Sequence, residues 1–262
     1  MKNKNNLEIP KFKVEEYYQK KTKYCICIPI INEGGRIETE LSRAKSYGIN
    51  KLADIIICDG GSTDGSTNSK KLKHLGVNTL LVKNDFGKQG AQLRMGFWWA
   101  LKRGYEGVIT IDGNNKDSIE SIPLFIKKLD EGFDFVQGSR YLKGGKGINT
   151  PLIRHISVKF IHAPIISLTA RHRFTDTTSA FRAHSKKYLE HDLVQPFRNV
   201  FVSYELLAYL SVRASQLKLM VCEVPVTRSY PKNEKVPTKI NFNGMINLLK
   251  ILFKNFVGAY NP

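Results

Sequence analysis

Short apolar runs alternate with longer amphipathic segments along most of the chain. Runs rich in isoleucine, valine and leucine predict buried strands at 24–31, 53–58, 78–82, 107–111 and 133–137. The segments between them predict helices at 36–47, 66–74, 88–103 and 118–129. Repeated strand–helix alternation with short connections predicts an α/β fold with a mostly parallel central sheet and helices on both faces.

The regular alternation ends after Gly138. A glycine-rich loop is predicted at 141–151, followed by an apolar stretch that charged residues interrupt. Further elements are a helix at 204–214, a strand at 218–226 and a helix at 242–256. The expected organisation is a polar N-terminal arm (1–22, with a short helix at 14–20), a catalytic domain (23–230) and a C-terminal basic loop and amphipathic helix (231–262).

Two of the predicted strands end in an acidic residue that glycine follows. Asp59 closes one and Asp112 closes the other. Since ligands of open α/β sheets bind at the carboxyl edge, two carboxylates delivered there favour a nucleotide and a divalent cation. The chain is therefore expected to be an enzyme that acts on a nucleotide-linked substrate.

The charge balance indicates an anionic partner. The 262 residues contain 41 Lys and Arg against 23 Asp and Glu, for a formal net charge of +18. Nucleic acid, phosphorylated lipid and an acidic membrane surface all fit this charge. Nucleic acid is not expected as a partner, because no basic stripe interleaved with aromatic residues and no docking motif is found.

The cysteines and the hydropathy indicate a compartment. Three of the four cysteines, which are Cys25, Cys27, Cys58 and Cys222, lie in apolar strand-like runs, and none has the spacing of a metal site. This pattern is typical of small buried side chains in a reducing compartment. No run of about eighteen apolar residues occurs, and the first residues lack the pattern of a secretory signal. The expectation is a cytoplasmic protein, peripheral on the inner face of the cell membrane.

Five segments follow one another at 28–35, 59–64, 87–88, 112–114 and 138–141. This ordered set resembles the family 2 glycosyltransferases, which have the nucleotide-sugar-binding fold called GT-A. The resemblance runs from about residue 24 to residue 250. It implies that a UDP- or GDP-sugar donor binds at Pro29, Asn32, Glu33, Asp59, Lys88, Asp112 and Gly113.

These donor roles fit the chemistry of the residue types, and simpler alternatives stay open. A carboxylate such as Asp59 accepts from a base imino group, and Lys88 at a helix start meets phosphates. Asp59 also fits the cap of a tight turn, and Lys88 fits a solvated helix start. Asp64 suits the cap of the following helix as well as it suits a ligand contact.

Asp112 and Asn114 stand where the family carries its D-x-D metal motif. The resemblance therefore implies a divalent cation, Mg²⁺ or Mn²⁺, held by these two side chains. Asn114 replaces the second aspartate of the motif. An amide oxygen ligates a hard cation without adding charge, so the expected binding is weaker.

The segments 138–141, 175–182 and 223–226, together with Arg154, resemble the polyprenol-phosphate sugar transferases. The resemblance implies that Arg140 and Arg154 bind phosphate at the reaction centre, and that Asp176 lies near the acceptor. Arg228 is assigned to the same phosphate set, although the agreement with the family loosens after Val226. The predicted catalytic residues are Asp112, Arg140 and Asp176.

The resulting hypothesis is an inverting, metal-assisted hexosyltransferase that transfers sugar to a polyprenyl phosphate at the cytoplasmic membrane face. The alternative acceptor is a glycan or lipid-linked sugar of surface polysaccharide synthesis, which needs a general base such as Asp176 or Glu205. A non-catalytic sugar-nucleotide binder is a further alternative that Asn114 keeps open. The helix at 242–256 fits either a membrane surface or packing against the sheet.

Overall fold

The computed structural model describes residues 7–232 and 242–262. The strands in this part of the chain are β1 Phe12–Glu16, β2 Tyr24–Ile30, β3 Asp54–Asp59, β4 Val77–Lys83, β5 Gly107–Thr110, β6 Phe135–Ser139, β7 Lys146–Ile148, β8 Arg182–Ser185, β9 Val221–Pro225 and β10 Thr227–Ser229. Eight of them form one sheet in the order β1-β4-β3-β2-β5-β8-β6-β9, and β7 pairs with β10 in a separate two-stranded sheet.

The α-helices of the same residues are α1 Gly35–Ser46, α2 Ile49–Leu52, α3 Ser69–His74, α4 Gln89–Lys102, α5 Ile122–Asp130, α6 Leu152–Ser157, α7 Ala163–Ala170, α8 Lys186–Leu189, α9 Glu205–Gln216 and α10 Phe242–Phe256. A 3₁₀ turn at Ile119–Ser121 precedes α5, and a π-helical turn at Val158–His162 joins α6 to α7. No helix of the described residues combines the length and apolarity needed to cross a bilayer.

The sheet is mostly parallel because strands β4, β3, β2 and β5 run in one direction as parallel neighbours. Both of its faces are covered. Cys25 and Cys27 of β2 lie in the core on the side of α4 and α9, whereas Ile26 and Ile28 lie in the core on the side of α1 and α5. The α/β architecture with helices on both faces is thereby confirmed, and double coverage explains why β2 and β3 are buried throughout.

Two expectations about the chain outside this repeat were wrong. The predicted helix at 14–20 is absent, since β1 extends the sheet as an antiparallel edge strand on β4 and Phe12 packs edge-on against Trp98 at 5.8 Å. The predicted loop at 141–151 contains β7, which pairs with β10. Part of the predicted basic loop, residues 233–241, lies outside the described residues, and the division into arm, catalytic domain and C-terminal segment stays a prediction.

Strand β8 is the element that the sequence pattern did not indicate. It lies antiparallel between β5 and β6, and His184 is fully buried on it. The His184 ring lies 5.4 Å from Phe97 and 5.3 Å from Phe135 between ring centroids. Burial, with a smaller contribution from Arg182, lowers the pKa of His184 to about 3.

This buried histidine predicts a loss of stability in mild acid. Below the ordinary histidine pKa of about 6.5 the unfolded chain binds a proton that native His184 does not, so stability falls as pH falls toward about 3. For this one group the loss between pH 7 and pH 5 is about 2 kcal/mol. Denaturant unfolding of a His184→Leu variant should show a correspondingly smaller loss, whereas Phe97→Leu should destabilise equally at both pH values. Parallel wild-type and His184→Leu curves would contradict the assignment.

Candidate active site

The carboxyl ends of three neighbouring strands carry most of the predicted donor residues. Asp59 ends β3, Asn32 and Glu33 follow β2, and Asp112 follows β5. Because the sheet order is β3-β2-β5, these residues come to one edge of the sheet. This is the place where open α/β sheets bind ligands.

The Asp59 carboxylate holds the turn that follows β3. The side chain is buried and accepts hydrogen bonds from the backbone N–H of Gly61 at 2.9 Å and from the N–H and hydroxyl of Ser62. The turn-cap alternative is therefore present in the structure. Direct contact of Asp59 with a nucleotide stays a prediction.

The same network connects two loops at the sheet edge. The backbone N–H of Asn32 donates to the Ser62 hydroxyl at 2.9 Å, and the N–H of Thr63 donates to the Asn32 side-chain oxygen at 2.8 Å. Glu33 accepts from the Arg36 guanidinium at 3.0 Å. These bonds fix the loop after β2 against the loop after β3 and shape the rim of a cleft.

This cleft has a volume of about 740 Å³, within the range of small-molecule sites. Its lining is polar and comprises Asn32, Glu33, Gly34, Gly35, Arg36, Thr39, Asp64, Asn114, Asn115, Lys116, Ser229 and Pro231. It therefore contains Asn32, Glu33 and Asn114 of the predicted set, together with Asp64. The polar lining suits a nucleotide better than an apolar ligand.

Two other predicted donor residues are packed rather than open. Pro29 is buried within β2. Gly113 lies so close to β2 that a Cβ atom there would stand 2.5 Å from Ile30 Cγ2. Lys88 is exposed at the start of α4, where its backbone N–H donates to the Val202 carbonyl at 2.8 Å. The contacts of these three residues with a donor stay predictions.

Helix α4 positions the sheet edge through two glutamines that sequence reasoning missed. The Gln92 amide donates to the carbonyls of Ile30 at 2.6 Å and Cys58 at 2.8 Å, which joins the ends of β2 and β3. The Gln89 amide donates to Asp112 Oδ1 at 2.9 Å. The sequence could have indicated these two glutamines by their position in the first turn of the helix that follows residues 87–88.

Arg228 forms ion pairs with two carboxylates at this edge. Its guanidinium pairs with buried Asp117, and its Nη2 lies 3.4 Å from Asp112 Oδ2. Burial alone would lower the pKa of Arg228, but the Asp117 and Asp112 carboxylates raise it above its usual value. Arg228 therefore keeps its positive charge next to Asp112.

Two further basic side chains, Arg154 and Lys116, contact Tyr230 beside Arg228. Arg154 donates from Nη1 to the Tyr230 hydroxyl at 2.9 Å, and the Lys116 ammonium lies 5.3 Å from the ring centroid. Burial would raise the pKa of Tyr230, yet the charges of Arg228 and Arg154 lower it. We call Lys116, Arg154, Arg228 and Tyr230 the cationic cluster. Sequence reasoning found the two arginines but not Lys116 or Tyr230.

Arg140 and Asp176 form a buried ion pair. The distances are 2.7 Å from Arg140 Nε to Asp176 Oδ2 and 3.0 Å from Nη2 to Oδ1, and both side chains are almost inaccessible to solvent. Burial would raise the pKa of Asp176, but Arg140 outweighs it and holds that pKa below its usual value. Within the described residues Arg140 Nη1 has no hydrogen-bond partner, so one donor remains available. The predicted catalytic roles of both residues stay predictions.

Glu223 supports this pair from the neighbouring strand β9. It accepts from the backbone N–H groups of Thr175 at 2.9 Å and Asp176 at 3.1 Å. The resemblance had pointed to residues 223–226 without giving Glu223 a role. The structure makes it a positioning residue for the Asp176 turn.

The residues present fit a weakly held divalent cation. Asn114 Oδ1 is buried and has no hydrogen-bond partner in the described part of the chain, and Asp112 is about one-quarter exposed at 23%. Both offer the oxygen ligands that hard cations prefer. Residues 7–232 and 242–262 contain no group of three or more His, Cys, Asp or Glu side chains able to hold a metal ion. Diphosphate oxygens and water would therefore complete the ligand set.

The match to a protein-family model decides the classification. The model described as glycosyl transferase family 2 matches residues 25–197, which include most of the residues that line the cleft and the Arg140–Asp176 pair. The chain belongs to glycosyl transferase family 2. The resemblance found in the sequence is thereby confirmed, and the chain is a family 2 glycosyltransferase.

Three curated relatives resemble this glycosyltransferase at modest identity. An undecaprenyl-phosphate mannosyltransferase of Micrococcus luteus is 27% identical over 207 residues, covering 76% of the chain and 81% of the relative. A polyprenol monophosphomannose synthase of Mycolicibacterium smegmatis is 27% identical, covering 66% and 65%. A dolichol-phosphate mannosyltransferase of Pyrococcus furiosus is 28% identical, covering 78% and 56%. The chain thus spans only part of the length of the last two.

Solved structures confirm the fold of the glycosyltransferase. Glucosyl-3-phosphoglycerate synthase from Mycobacterium tuberculosis, in complex with Mn²⁺, UDP and phosphoglyceric acid, matches with a TM-score of 0.65 and 15% identity, over 89% of the chain and 78% of that structure. The same enzyme with Mg²⁺ and UDP matches with a TM-score of 0.62. At this identity the match establishes the GT-A architecture alone.

Because the Arg140–Asp176 pair is buried, we expect its disruption to destabilise the protein strongly. In Asp176→Asn the Arg140 charge stays buried without a carboxylate, which should lower the free energy of unfolding by about 3 kcal/mol. Glu38→Gln is the matched control, because its pair with Lys71 is largely exposed and should cost less than about 1 kcal/mol. Chemical denaturation measures both. Equal midpoints for the two variants would exclude the structural role.

Proposed function

We propose that this glycosyltransferase transfers a hexose from a UDP- or GDP-sugar to a polyprenyl phosphate at the cytoplasmic face of the membrane, on which it is peripheral. The observation that carries the proposal is the cationic cluster, which lies beside Asp112 and the polar cleft. One anion-binding region next to a donor cleft suits an acceptor that is itself a phosphate. The printed names of the three curated relatives support this acceptor class.

The donor would occupy the polar cleft and present its diphosphate to the sheet edge. Asp112 and Asn114 would hold the divalent cation, which supplies positive charge for the diphosphate when bound. Arg228 and Lys116 would add fixed positive charge at the same place, since Arg228 already lies against Asp112. Electrostatic stabilisation of the departing nucleoside diphosphate is then the main catalytic contribution of the protein.

The acceptor chemistry needs no general base. A phosphate oxygen that is already an anion attacks the anomeric carbon, while the bond from that carbon to the donor diphosphate breaks and the configuration inverts. A glycan hydroxyl would instead need a base, and Asp176 is buried in its pair with Arg140. Glu205, the other candidate base, accepts from the Ser203 N–H at 2.5 Å. Because both candidate bases already accept hydrogen bonds or ion pairs within the protein, a phosphate acceptor is favoured over a glycan acceptor.

The acceptor class is tested by turnover with labelled sugar nucleotides. With Mn²⁺ or Mg²⁺ present, we expect a labelled lipid product from a UDP- or GDP-sugar and undecaprenyl phosphate, and no product from undecaprenol, which lacks the phosphate. Arg154→Lys should raise the KM for the lipid phosphate by about tenfold, because the planar guanidinium contact is lost. Product formed only with an oligosaccharide acceptor would reject the proposal.

The metal assignment predicts a gain of affinity on restoring the second carboxylate. Asn114→Asp adds a charged oxygen ligand and should tighten Mn²⁺ binding in the presence of UDP on the order of tenfold. Calorimetric Mn²⁺ titration measures this directly and needs no turnover. Asn115→Asp is the neighbouring control, because Asn115 accepts from Arg43 at 2.9 Å. If the control gained as much affinity as Asn114→Asp, Asn114 would not be a ligand position.

A further inference from the structure

The helical segment 152–170 exposes an apolar stripe. Leu152, Ile153, Phe160 and Leu168 are 74%, 70%, 66% and 68% exposed, and Ile156 is 46% exposed. Positions 153, 156, 160 and 168 recur at helical spacing and so share one side. The opposite side packs into the core through Val158, Ala163, Ile166 and Ala170. These side chains therefore face solvent although the π-helical turn and α7 pack into the core.

Helix α10 exposes a second apolar stripe. Leu249, Phe253, Phe256 and Val257 are 51%, 65%, 53% and 56% exposed, whereas Ile251 and Leu252 are buried. The helix is held in place by packing on α7 and α9, and by a hydrogen bond from the Asn255 amide to the Ala208 carbonyl at 2.9 Å. Because α10 packs on α7, the two stripes lie on neighbouring helices.

We name these exposed side chains the apolar face: Leu152, Ile153, Ile156, Phe160, Leu168, Leu249, Phe253, Phe256 and Val257. Apolar patches of this kind on a soluble domain mark sites of protein or membrane interaction. Helix α10 packs on α7 and α9 rather than directly on the sheet, and its other side is exposed.

The charges around the apolar face select its partner. Residues 151–175 and 242–262 contain no Asp or Glu. Lys159, Arg171, Arg173, Lys250 and Lys254 are exposed in the same segments. A second copy of the chain would bring like charges together, whereas an anionic lipid surface complements them. Amphipathic helices with basic residues beside large apolar ones lie in the headgroup region of such bilayers.

Helix α6 connects this face to the cationic cluster. Arg154 reaches Tyr230 from the same short helix that exposes Leu152 and Ile153. The ring of His155, also on α6, packs against Tyr141 with centroids 5.3 Å apart. One helix therefore exposes apolar side chains and also contributes Arg154 to the cationic cluster.

We propose that the apolar face is the surface by which this protein binds a bilayer of anionic phospholipid, with α6, α7 and α10 lying in the headgroup region. The role of this surface in delivering the acceptor rests on the proposed function. A phosphate at headgroup depth then reaches Arg154 without leaving the membrane. Binding to the bilayer itself does not depend on any reaction.

Sedimentation with vesicles tests the proposal. The full chain should bind vesicles that contain phosphatidylglycerol and bind phosphatidylcholine vesicles more weakly. Phe160→Asp and Phe253→Asp should each reduce the partition coefficient on the order of tenfold or more, because burial of one phenylalanine is lost and an anion is added. Lys250→Gln combined with Lys254→Gln should reduce binding to the anionic vesicles selectively.

The matched control is Leu124→Asp on α5, where Leu124 is 40% exposed and the helix belongs to the core on the other face of the sheet. It should leave vesicle binding unchanged. Phe253→Ser provides a milder change, and circular dichroism melts check that every variant folds. Vesicle binding equal to wild type in both aspartate variants would overturn the proposal. A second result would also overturn it: sedimentation velocity shows that the wild type is a dimer and that Phe253→Asp dissociates it, while the wild type does not bind vesicles.

A water-soluble short-chain prenyl phosphate separates this proposal from the proposed function. The apolar-face variants should keep turnover with the soluble acceptor while losing turnover with the vesicle-bound lipid. Vesicle binding without turnover on any prenyl phosphate would leave the docking surface standing and reject the acceptor class. Turnover with both acceptors but no vesicle binding would reject the docking surface alone.

Discussion

The ion pairs of Arg228 connect the small two-stranded sheet to the carboxyl edge of the large sheet, and so join the two parts of the candidate site. Its guanidinium comes from β10, in the small two-stranded sheet, and reaches Asp112 and Asp117 beyond the end of β5 in the large sheet. Without this cation, two carboxylates would face each other in a partly dry environment at high cost. The arrangement of the sheet edge and the cationic cluster therefore depends on one buried arginine.

Several acidic residues at this edge are structural supports before they are ligands. Asp59 holds its own turn, Asp176 holds Arg140, and Glu223 holds the backbone before Asp176. Such fully bonded carboxylates keep loop backbone fixed, as a site on loops requires. Among the described residues, Asn114 Oδ1 and Arg140 Nη1 are buried atoms that still lack a hydrogen-bond partner.

The sequence predicted the repeating part of the fold well because local patterns determine it. Strands β2 to β6 and helices α1, α4 and α5 lie within a few residues of their predicted positions. Strand β8 has only four residues and no alternation, and its place between β5 and β6 is a tertiary fact. The placement of Asn32, Glu33 and Asp112 at one sheet edge could be predicted, because each follows the end of a predicted strand. The contacts of Lys116 and Tyr230 could not, because they depend on a bridge between β10 and Asp117 that no local pattern encodes.

The position of β8 also has a consequence for how this architecture varies. The chain leaves the large sheet at the end of β6 and returns in β8, which is the hydrogen-bonded neighbour of β6, with Gln137 opposite Arg182. Everything between them, including β7, α6 and α7, is an excursion whose two ends lie side by side. Such a detour can be lengthened, shortened or exchanged without changing the register of any strand in the large sheet. Evolution could thus refit the region of α6 and α7, which carries Arg154, while the sheet edge with Asp59 and Asp112 stays as it is.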